Sequence, residues 1–200
     1  MAAVGLAAAL AGGVWFGALV VAVCGGILWE CWQITAGPKR DMRLLAVLVV
    51  WILLAGWGLI EIRLTHGLVA LLWLVLVVIA SDVAGYFAGK SLGGPKFWPA
   101  ISPKKTWSGT VAGWAAAGGV GACVALLTAT GWVAVPLSIL TAFAGQMGDI
   151  AESAVKRRFG VKDSSDLITG HGGLFDRFDA LLGATLFLVV MSFLFGDPTL

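Results

Sequence analysis

Long apolar runs, separated by short polar segments, make up most of the chain from residue 14 onward. A helix needs about 20 mainly apolar residues to cross the hydrocarbon core of a bilayer. Residues 106–148 include no charged side chain, and these 43 positions would extend about 64 Å as a helix, which is two crossings with a break at 128–131. The pattern predicts an all-α, polytopic transmembrane bundle of about six spans, at 14–34, 44–62, 67–89, 108–128, 131–153 and 173–195.

The alanine-rich segment 2–11 precedes the first of these spans. It is too short to cross a bilayer alone, so it forms either a half-helix or part of a seventh crossing. Three glycine pairs with GxxxG spacing, Gly13/Gly17, Gly85/Gly89 and Gly109/Gly113, permit close approach of helices and favour packing within one bundle.

Composition supports a membrane protein. Apolar residues make up 60% of the chain and charged residues 12%, against roughly 45–50% and about 25% in soluble domains. A soluble domain of this size could not bury so much apolar surface. The three cysteines lie in apolar runs without CxxC spacing, which is typical of buried thiols and not of disulfides or metal ligands.

The basic residues divide very unequally between the two sides of the predicted bundle. Only Arg63 falls on one side, whereas twelve of the thirteen basic residues fall in or beside the segments 35–43, 90–107 and 154–172 on the other. Basic loops remain on the cytoplasmic side of a membrane. The pattern therefore predicts that these three segments are cytoplasmic.

Acidic residues in apolar helices are costly and usually functional. Six of them lie in or at the predicted cytoplasmic ends of spans, namely Glu30, Asp82, Asp149, Glu152, Asp176 and Asp179. Asp149 and Glu152 are three residues apart, as are Asp176 and Asp179, so each pair shares a helical face. Such carboxylates suit Mg²⁺, and a structural network of ion pairs with nearby basic residues is the alternative.

Basic and glycine-rich motifs border the same surface. Residues 102–106 place two lysines and two hydroxyls before a helix, and residues 156–158 and 162 add further cations. These cations could anchor the loop or bind lipid headgroups. The small residues in 163–173 leave backbone amides open to phosphate oxygens. The mixture favours Mg-nucleotide chemistry on a lipid, with His171 as an acid, a base, a ligand or a turn-fixing hydrogen bonder.

The string from Ser153 to Asp179 resembles the signature of the phosphatidate cytidylyltransferase (CDP-diglyceride synthetase) family, roughly S-x-x-K-R-x(4)-K-D-x(5)-P-G-H-G-G-x-x-D-R-x-D. Ser81-Asp82, with residues 101–107, resembles a second family region, and the resemblance covers about residues 67–185. Thr169 stands where the family usually has proline, Ser108 where it has glutamate and Ala180 where serine is common. The missing carboxylate at position 108 puts any role of that glutamate in doubt.

The resemblance implies a membrane enzyme that transfers CMP from CTP to phosphatidic acid, giving CDP-diacylglycerol and pyrophosphate in phospholipid biosynthesis. The implied catalytic residues are Asp149, Lys156, Arg157, Asp176, Arg177 and Asp179. The implied substrate-binding residues are Ser102, Lys104, Lys105, Thr106, Lys162, Asp163, His171, Gly172 and Gly173. We expect Mg²⁺ as cofactor, with K⁺ as an optional second ion, on Asp149, Asp176, Asp179 and Asp82.

The remaining expectations concern the whole molecule. We expect one integral membrane domain over residues 1–200, with its catalytic region at about 80–180. The expected location is the inner membrane of a prokaryote, with the site facing the cytoplasm. CTP and phosphatidic acid are the expected partners, nucleic acid is not expected, and a homodimer is an open option.

Three other functions remain open at this point. A transporter could also have intramembrane acids, but it would not need a basic, glycine-rich loop. A CDP-alcohol phosphotransferase would show a DG…AR…G…D…D pattern, which this sequence lacks. A CTP-dependent polyprenol kinase is the nearest competitor, and it would release CDP and not pyrophosphate.

Overall fold

The computed structural model describes residues 2–35, 41–165, 167 and 172–196. Its helices are almost all long enough to cross a bilayer, and a short β-hairpin lies between two of them. In chain order the elements are α1 (Ala2–Ala11), α2 (Gly13–Thr35), α3 (Met42–Glu61), a π-helical turn (Ile62–His66), α4 (Gly67–Ser91), β1 (Lys96–Trp98), β2 (Ser102–Thr106), α5 (Trp107–Leu127), α6 (Ala134–Phe159) and α7 (Phe175–Phe195).

Five helical segments within these described ranges are long and apolar enough to span a membrane. The second of them, Met42–Ser91, is 50 residues long, about 75 Å as a helix, and is interrupted at Gly67, where φ is 81°. Its two halves, α3 and α4, run in opposite directions, because Asp41 before α3 pairs with Arg158 of α6 and the end of α4 shares a cleft with Asp149 of α6. The prediction of a polytopic helical bundle is therefore confirmed.

The start of α3 shows how the sequence fixes a helix end. The Asp41 carboxylate accepts hydrogen bonds from the amides of Arg43 and Leu44, at 3.2 and 3.1 Å, and caps the helix. It also pairs with the Arg158 guanidinium at 2.6 Å. The Leu44 amide, and after it the Arg158 charge, hold the pKa of Asp41 below its ordinary value.

Helix α6 is longer than predicted. The sequence placed the end of this span at residue 153, but the helix continues to Phe159 and ends where Gly160 adopts φ 74°. No glycine or proline lies between residue 153 and Gly160, and the basic residues 156–158 suit the negative end of the helix dipole. Lys156, Arg157 and Arg158 therefore lie on the last turn of α6, and the expectation that they belong to a loop was wrong.

The β-hairpin was not predicted. Strands β1 and β2 are antiparallel, with Lys96 opposite Thr106 and Trp98 opposite Ser102. Such short strands, flanked by glycine and proline, look like a loop in sequence. The Thr106 side chain accepts a hydrogen bond from the Gly109 amide at 3.2 Å, so the hairpin leads directly into the capped start of α5.

Two close helix contacts hold the bundle together around its polar end. A Cβ atom at Gly109 of α5 would lie 2.5 Å from the carbonyl oxygen of Gly85 in α4. A Cβ atom at Gly148 of α6 would lie 2.4 Å from the carbonyl oxygen of Asp179 in α7. Only glycine permits these approaches. They bring the polar ends of four helices together.

The opposite end of the bundle holds α1. The guanidinium Nε of Arg63, in the π-helical turn, donates a hydrogen bond to the carbonyl oxygen of Ala9 at 2.9 Å. This contact satisfies a carbonyl group that the end of α1 would otherwise leave unpaired. Arg63 therefore joins the end of α1 to the turn between α3 and α4, at the other end of these two helices from the cleft.

Candidate active site

The six acidic residues expected on one side of the bundle do lie together. Most of them border a cleft of about 490 Å³ between α4, the β-hairpin, α5, α6 and α7. Charged and hydroxyl side chains from distant parts of the chain meet there. The cleft is lined by Ser81, Asp82, Gly85, Tyr86, Gly89, Lys90, Ser102, Lys104, Lys105, Thr106, Gly109, Thr110, Gln146, Asp149, Asp176, Asp179 and Ala180.

Three carboxylates lie close together, and two of them, Asp149 and Asp179, border the cleft. Asp149 and Glu152 of α6 and Asp179 of α7 each contribute an oxygen, and these oxygens lie within 4.8 Å of one another. We call these three residues the acidic trio. Carboxylates this close repel one another, so a cation between them would stabilise the arrangement. Oxygen donors are the ligands that Mg²⁺ prefers.

Glu152 gives an independent reason to expect a cation. Its side chain is fully buried, and its Oε1 atom has no hydrogen-bond partner among the residues that the structure describes. Its Oε2 atom forms an ion pair with the Lys156 ammonium at 2.7 Å. Buried polar atoms are almost always paired. The trio therefore fits a divalent ion.

Lys105 brings a positive charge from the hairpin to the trio. Its ammonium group donates to Asp149 Oδ2 at 2.7 Å and to the carbonyl oxygen of Gln146 at 3.2 Å. The side chain keeps about 20% of its surface exposed, on the cleft side. A cation so placed can contact the phosphate of a bound ligand.

Asp176 has a different environment from the trio. Its Oδ2 accepts hydrogen bonds from the amides of Ser164 and Gly173, both at 2.9 Å, and from the Ser164 hydroxyl at 2.7 Å. Its Oδ1 pairs with Lys156. Asp176 thus holds Ser164 and Gly173, and Lys156 pairs with both Asp176 and Glu152.

The structure gathers part of the predicted site. Asp82, Asp149, Asp176 and Asp179 border one cleft with the substrate-binding candidates Ser102, Lys104, Lys105 and Thr106. Gly172 and Gly173 lie against Asp176, since a Cβ atom at Gly172 would be 3.1 Å from its Oδ2. The remaining candidates within the described ranges, which are Arg157, Lys162, Asp163 and Arg177, are exposed side chains outside the lining of the cleft. His171 lies outside the described residues.

Several residues of this region were absent from the predicted site. The sequence did contain a signal for Glu152, because this residue shares a helical face with Asp149. The structure places Glu152 in the acidic trio, whereas the sequence favoured Asp176 as the third metal ligand beside Asp149 and Asp179. Gln146 is an uncharged polar residue in an apolar run, and its amide donates to the Ser81 hydroxyl at 3.1 Å. Ser108, at the position of the missing glutamate, donates to the carbonyl oxygen of Gly93 at 2.5 Å.

Comparison with known proteins gives a family for this arrangement. A model of the cytidylyltransferase family matches residues 54–195, which include the hairpin and all three members of the acidic trio. The chain belongs to this family. The match begins inside α3, so α1 and α2 lie outside the region that defines the cytidylyltransferase family here.

Individual relatives agree with the cytidylyltransferase match. A phosphatidate cytidylyltransferase of Brucella suis biovar 1 (strain 1330) is 43% identical over 151 residues, which cover 72% of this chain and 56% of that protein. A protein of the same name from Bacillus subtilis (strain 168) is 40% identical, over 66% of this chain and 50% of that protein. Another from Helicobacter pylori (strain ATCC 700392 / 26695) is 42% identical, over 60% of this chain and 46% of that protein. The chain spans about half the length of the curated relatives it matches.

Proposed function

We propose that this protein transfers CMP from CTP to phosphatidic acid, forming CDP-diacylglycerol and pyrophosphate. The observation that carries the proposal is the meeting of Asp149 and Asp179, two members of the acidic trio, with the lysines of β2 in one cleft at the polar end of apolar helices. A nucleotide and a lipid phosphate are both polyanions, so an enzyme that joins them needs cations at a membrane surface. The names of the relatives support the same reaction.

Divalent metal binding is the second part of the proposal. Asp149, Glu152 and Asp179 would hold Mg²⁺, with Asp82 at the border of the cleft as a further candidate. When bound, the ion would neutralise negative charge on the CTP phosphates. Asp176, which the sequence predicted as a metal ligand, is the alternative to Glu152. Its Oδ2 already accepts hydrogen bonds from Ser164, and its Oδ1 pairs with Lys156.

The lysines of the hairpin would bind the phosphates. Lys104 and Lys105 line the cleft, and the hydroxyl groups of Ser102 and Thr106 lie on the same strand. An oxygen of phosphatidate would attack the α-phosphorus of CTP, and the bond from that phosphorus to the departing pyrophosphate would break. The attacking phosphate is already an anion, so positioning and charge stabilisation by these residues supply most of the catalysis.

The wider setting also forms part of the proposal. The helices that end at the cleft would lie in the inner membrane of a bacterium, with the cleft at the cytoplasmic surface, where CTP is found. Phosphatidate would enter from the bilayer with its acyl chains still in lipid. A single membrane domain over 1–200 with a catalytic region at about 80–180, a role for K⁺ and a homodimer all stay predictions.

The proposal can be tested with purified protein in detergent–lipid micelles. We expect pyrophosphate release that requires CTP, phosphatidate and Mg²⁺ together. Release of CDP with a polyprenol in place of phosphatidate would identify a lipid kinase instead. No nucleotide turnover with either lipid, under conditions where the protein is folded, would contradict the proposal.

A further inference from the structure

Glu30 is a buried carboxylate that the proposed chemistry does not use. It lies near the end of α2, and its side chain has no solvent exposure. The match to the cytidylyltransferase family begins at residue 54, so Glu30 comes from outside the matched region. A buried carboxylate is very costly unless it is fully hydrogen bonded, so its partners indicate its role.

Four neutral donors surround this carboxylate. The amides of Leu174 and Phe175 donate to Oε1 and Oε2, each at 2.8 Å, and they are the groups that the start of α7 leaves unpaired. The hydroxyls of Ser165 and Ser164 lie 2.6 and 3.2 Å from Oε1 and Oε2. The positive end of the α7 dipole adds to the stabilisation of the negative charge. Glu30 therefore caps α7 from another helix.

One of these donors, Ser164, also contacts Asp176 at the border of the candidate active site. The Ser164 hydroxyl lies between Glu30 and Asp176, at 3.2 and 2.7 Å, and can donate its one hydrogen to either carboxylate. Asp176 and Asp179 lie in the first and second turns of α7. Any shift of the start of α7 would therefore move a member of the acidic trio.

Helix α2 packs closely against the residues before α7, on both sides of this contact. A Cβ atom at Gly173 would lie 2.5 Å from Glu30 Oε1, and a Cβ atom at Gly26 of α2 would lie 2.5 Å from Leu174 Cδ1. Helix α2 thus contacts the residues before α7 at two glycines, one from each side. The contact is close enough to fix the carboxylate relative to the α7 amides.

We propose that Glu30 is a positioning residue of the active site. Its carboxylate fixes the segment around Ser164, Ser165 and Gly173 and the first turn of α7, and so holds Asp179 in the acidic trio. The consequence for catalysis rests on the proposed function, whereas the fixing of α7 does not. Helix α2, outside the matched region, is then part of the catalytic structure.

A glutamine at position 30 tests this directly. Glu30→Gln keeps the volume but turns an NH₂ group toward a donor, so a buried amide or hydroxyl loses its acceptor. We expect hydrogen exchange at the Leu174 and Phe175 amides to become at least about 10-fold faster, with exchange in α3 unchanged. We expect turnover of CTP to fall by about 10–100-fold, because a displacement of about 1 Å can cost that much.

The control is Glu61→Gln, an exposed carboxylate at the far end of α3 that accepts a hydrogen bond from Thr65. It should change neither measurement. If Glu30→Gln does not fold, Ser165→Ala removes a single donor to Glu30 and should accelerate the same two amides. Unchanged exchange at Leu174 and Phe175 in the folded variants would overturn the inference.

The two proposals fail in different ways. Wild-type protein that turns over no CTP would contradict the proposed function, while the exchange measurement would still decide the role of Glu30 in fixing α7. Active wild type and equally active Glu30→Gln would overturn the positioning role and leave the proposed function intact. Faster hydrogen exchange throughout the protein in Glu30→Gln would also overturn the positioning role, because it would show that Glu30 stabilises the whole fold.

Discussion

The ammonium group of Lys105, in the β-hairpin, lies 2.7 Å from Oδ2 of Asp149, in the middle of α6. The two residues are 44 positions apart in the chain. Their ion pair joins the hairpin to the acidic trio and puts a positive charge at the border of the cleft. Because the lysine is partly exposed there, it can contact a bound phosphate without leaving Asp149.

Removal of this charge should affect catalysis more than stability. We expect Lys105→Gln to lower kcat/KM for CTP by about 100-fold, a typical loss for one charged group that contacts a reacting phosphate. The kcat/KM is measured as pyrophosphate release by the purified protein at a series of CTP concentrations. The matched control is Lys96→Gln, an exposed lysine of β1. Equal activities of the two variants would exclude a role for Lys105 in binding phosphate.

Each member of the acidic trio should be needed for binding the metal. In the absence of substrates, Mg²⁺ should raise the unfolding temperature of the wild type, since a ligand of the folded state stabilises it. Asp149→Asn, Glu152→Gln and Asp179→Asn should each lose this response, and their activity should fall by about 100-fold or more.

The control for the trio is Asp41→Asn, which removes a carboxylate that caps α3 and pairs with Arg158. It should keep the Mg²⁺ response even if the protein unfolds at a lower temperature. A full Mg²⁺ response in Glu152→Gln would remove Glu152 from the metal site.

Asp176 should behave differently from the trio. Because its oxygens accept from Ser164 and Gly173, Asp176→Asn should speed hydrogen exchange at those two amides and leave the Mg²⁺ response in place. The opposite result, a lost Mg²⁺ response with unchanged exchange, would restore Asp176 as a metal ligand, as the sequence predicted.

The contact between α4 and α5 should tolerate no side chain at Gly109. A Cβ atom there would lie 2.5 Å from a carbonyl oxygen of α4, so we expect Gly109→Ala to destabilise the fold by about 1–3 kcal/mol. Thermal unfolding in detergent measures it. In the same helix, Gly119 has no atom within 4 Å of such a Cβ, and Gly119→Ala should be neutral or stabilising by up to about 1 kcal/mol. Equal stability of both variants would contradict the packing account.

Much of this structure follows from the sequence alone. The lengths of the apolar runs predict the helices well, because a bilayer requires about 20 apolar residues for each crossing. The break expected at 128–131 lies between Leu127 and Ala134, where α5 ends and α6 begins. The end of α6 was placed too early, because polar residues were interpreted as a loop although no glycine or proline lies between residue 153 and Gly160.

The partners of individual side chains could not be predicted in the same way. Helical spacing puts Asp149 and Glu152 on one face and Asp176 and Asp179 on another, but it does not say which of the four meet. The approach of α6 to α7 at Gly148 decides that Glu152 joins Asp149 and Asp179. The contact of Glu30 with Leu174 spans 144 residues, and no local pattern contains it.

The central claim is that the trio and the hairpin lysines transfer CMP to a lipid phosphate. The most direct measurement follows CTP that carries a radiolabel in either the α- or the γ-phosphate, with phosphatidate and Mg²⁺. We expect the α-label in the extracted lipid, the γ-label in pyrophosphate, and neither product with Asp149→Asn. A γ-label in the lipid, or an α-label in lipid formed equally by Asp149→Asn, would contradict the account.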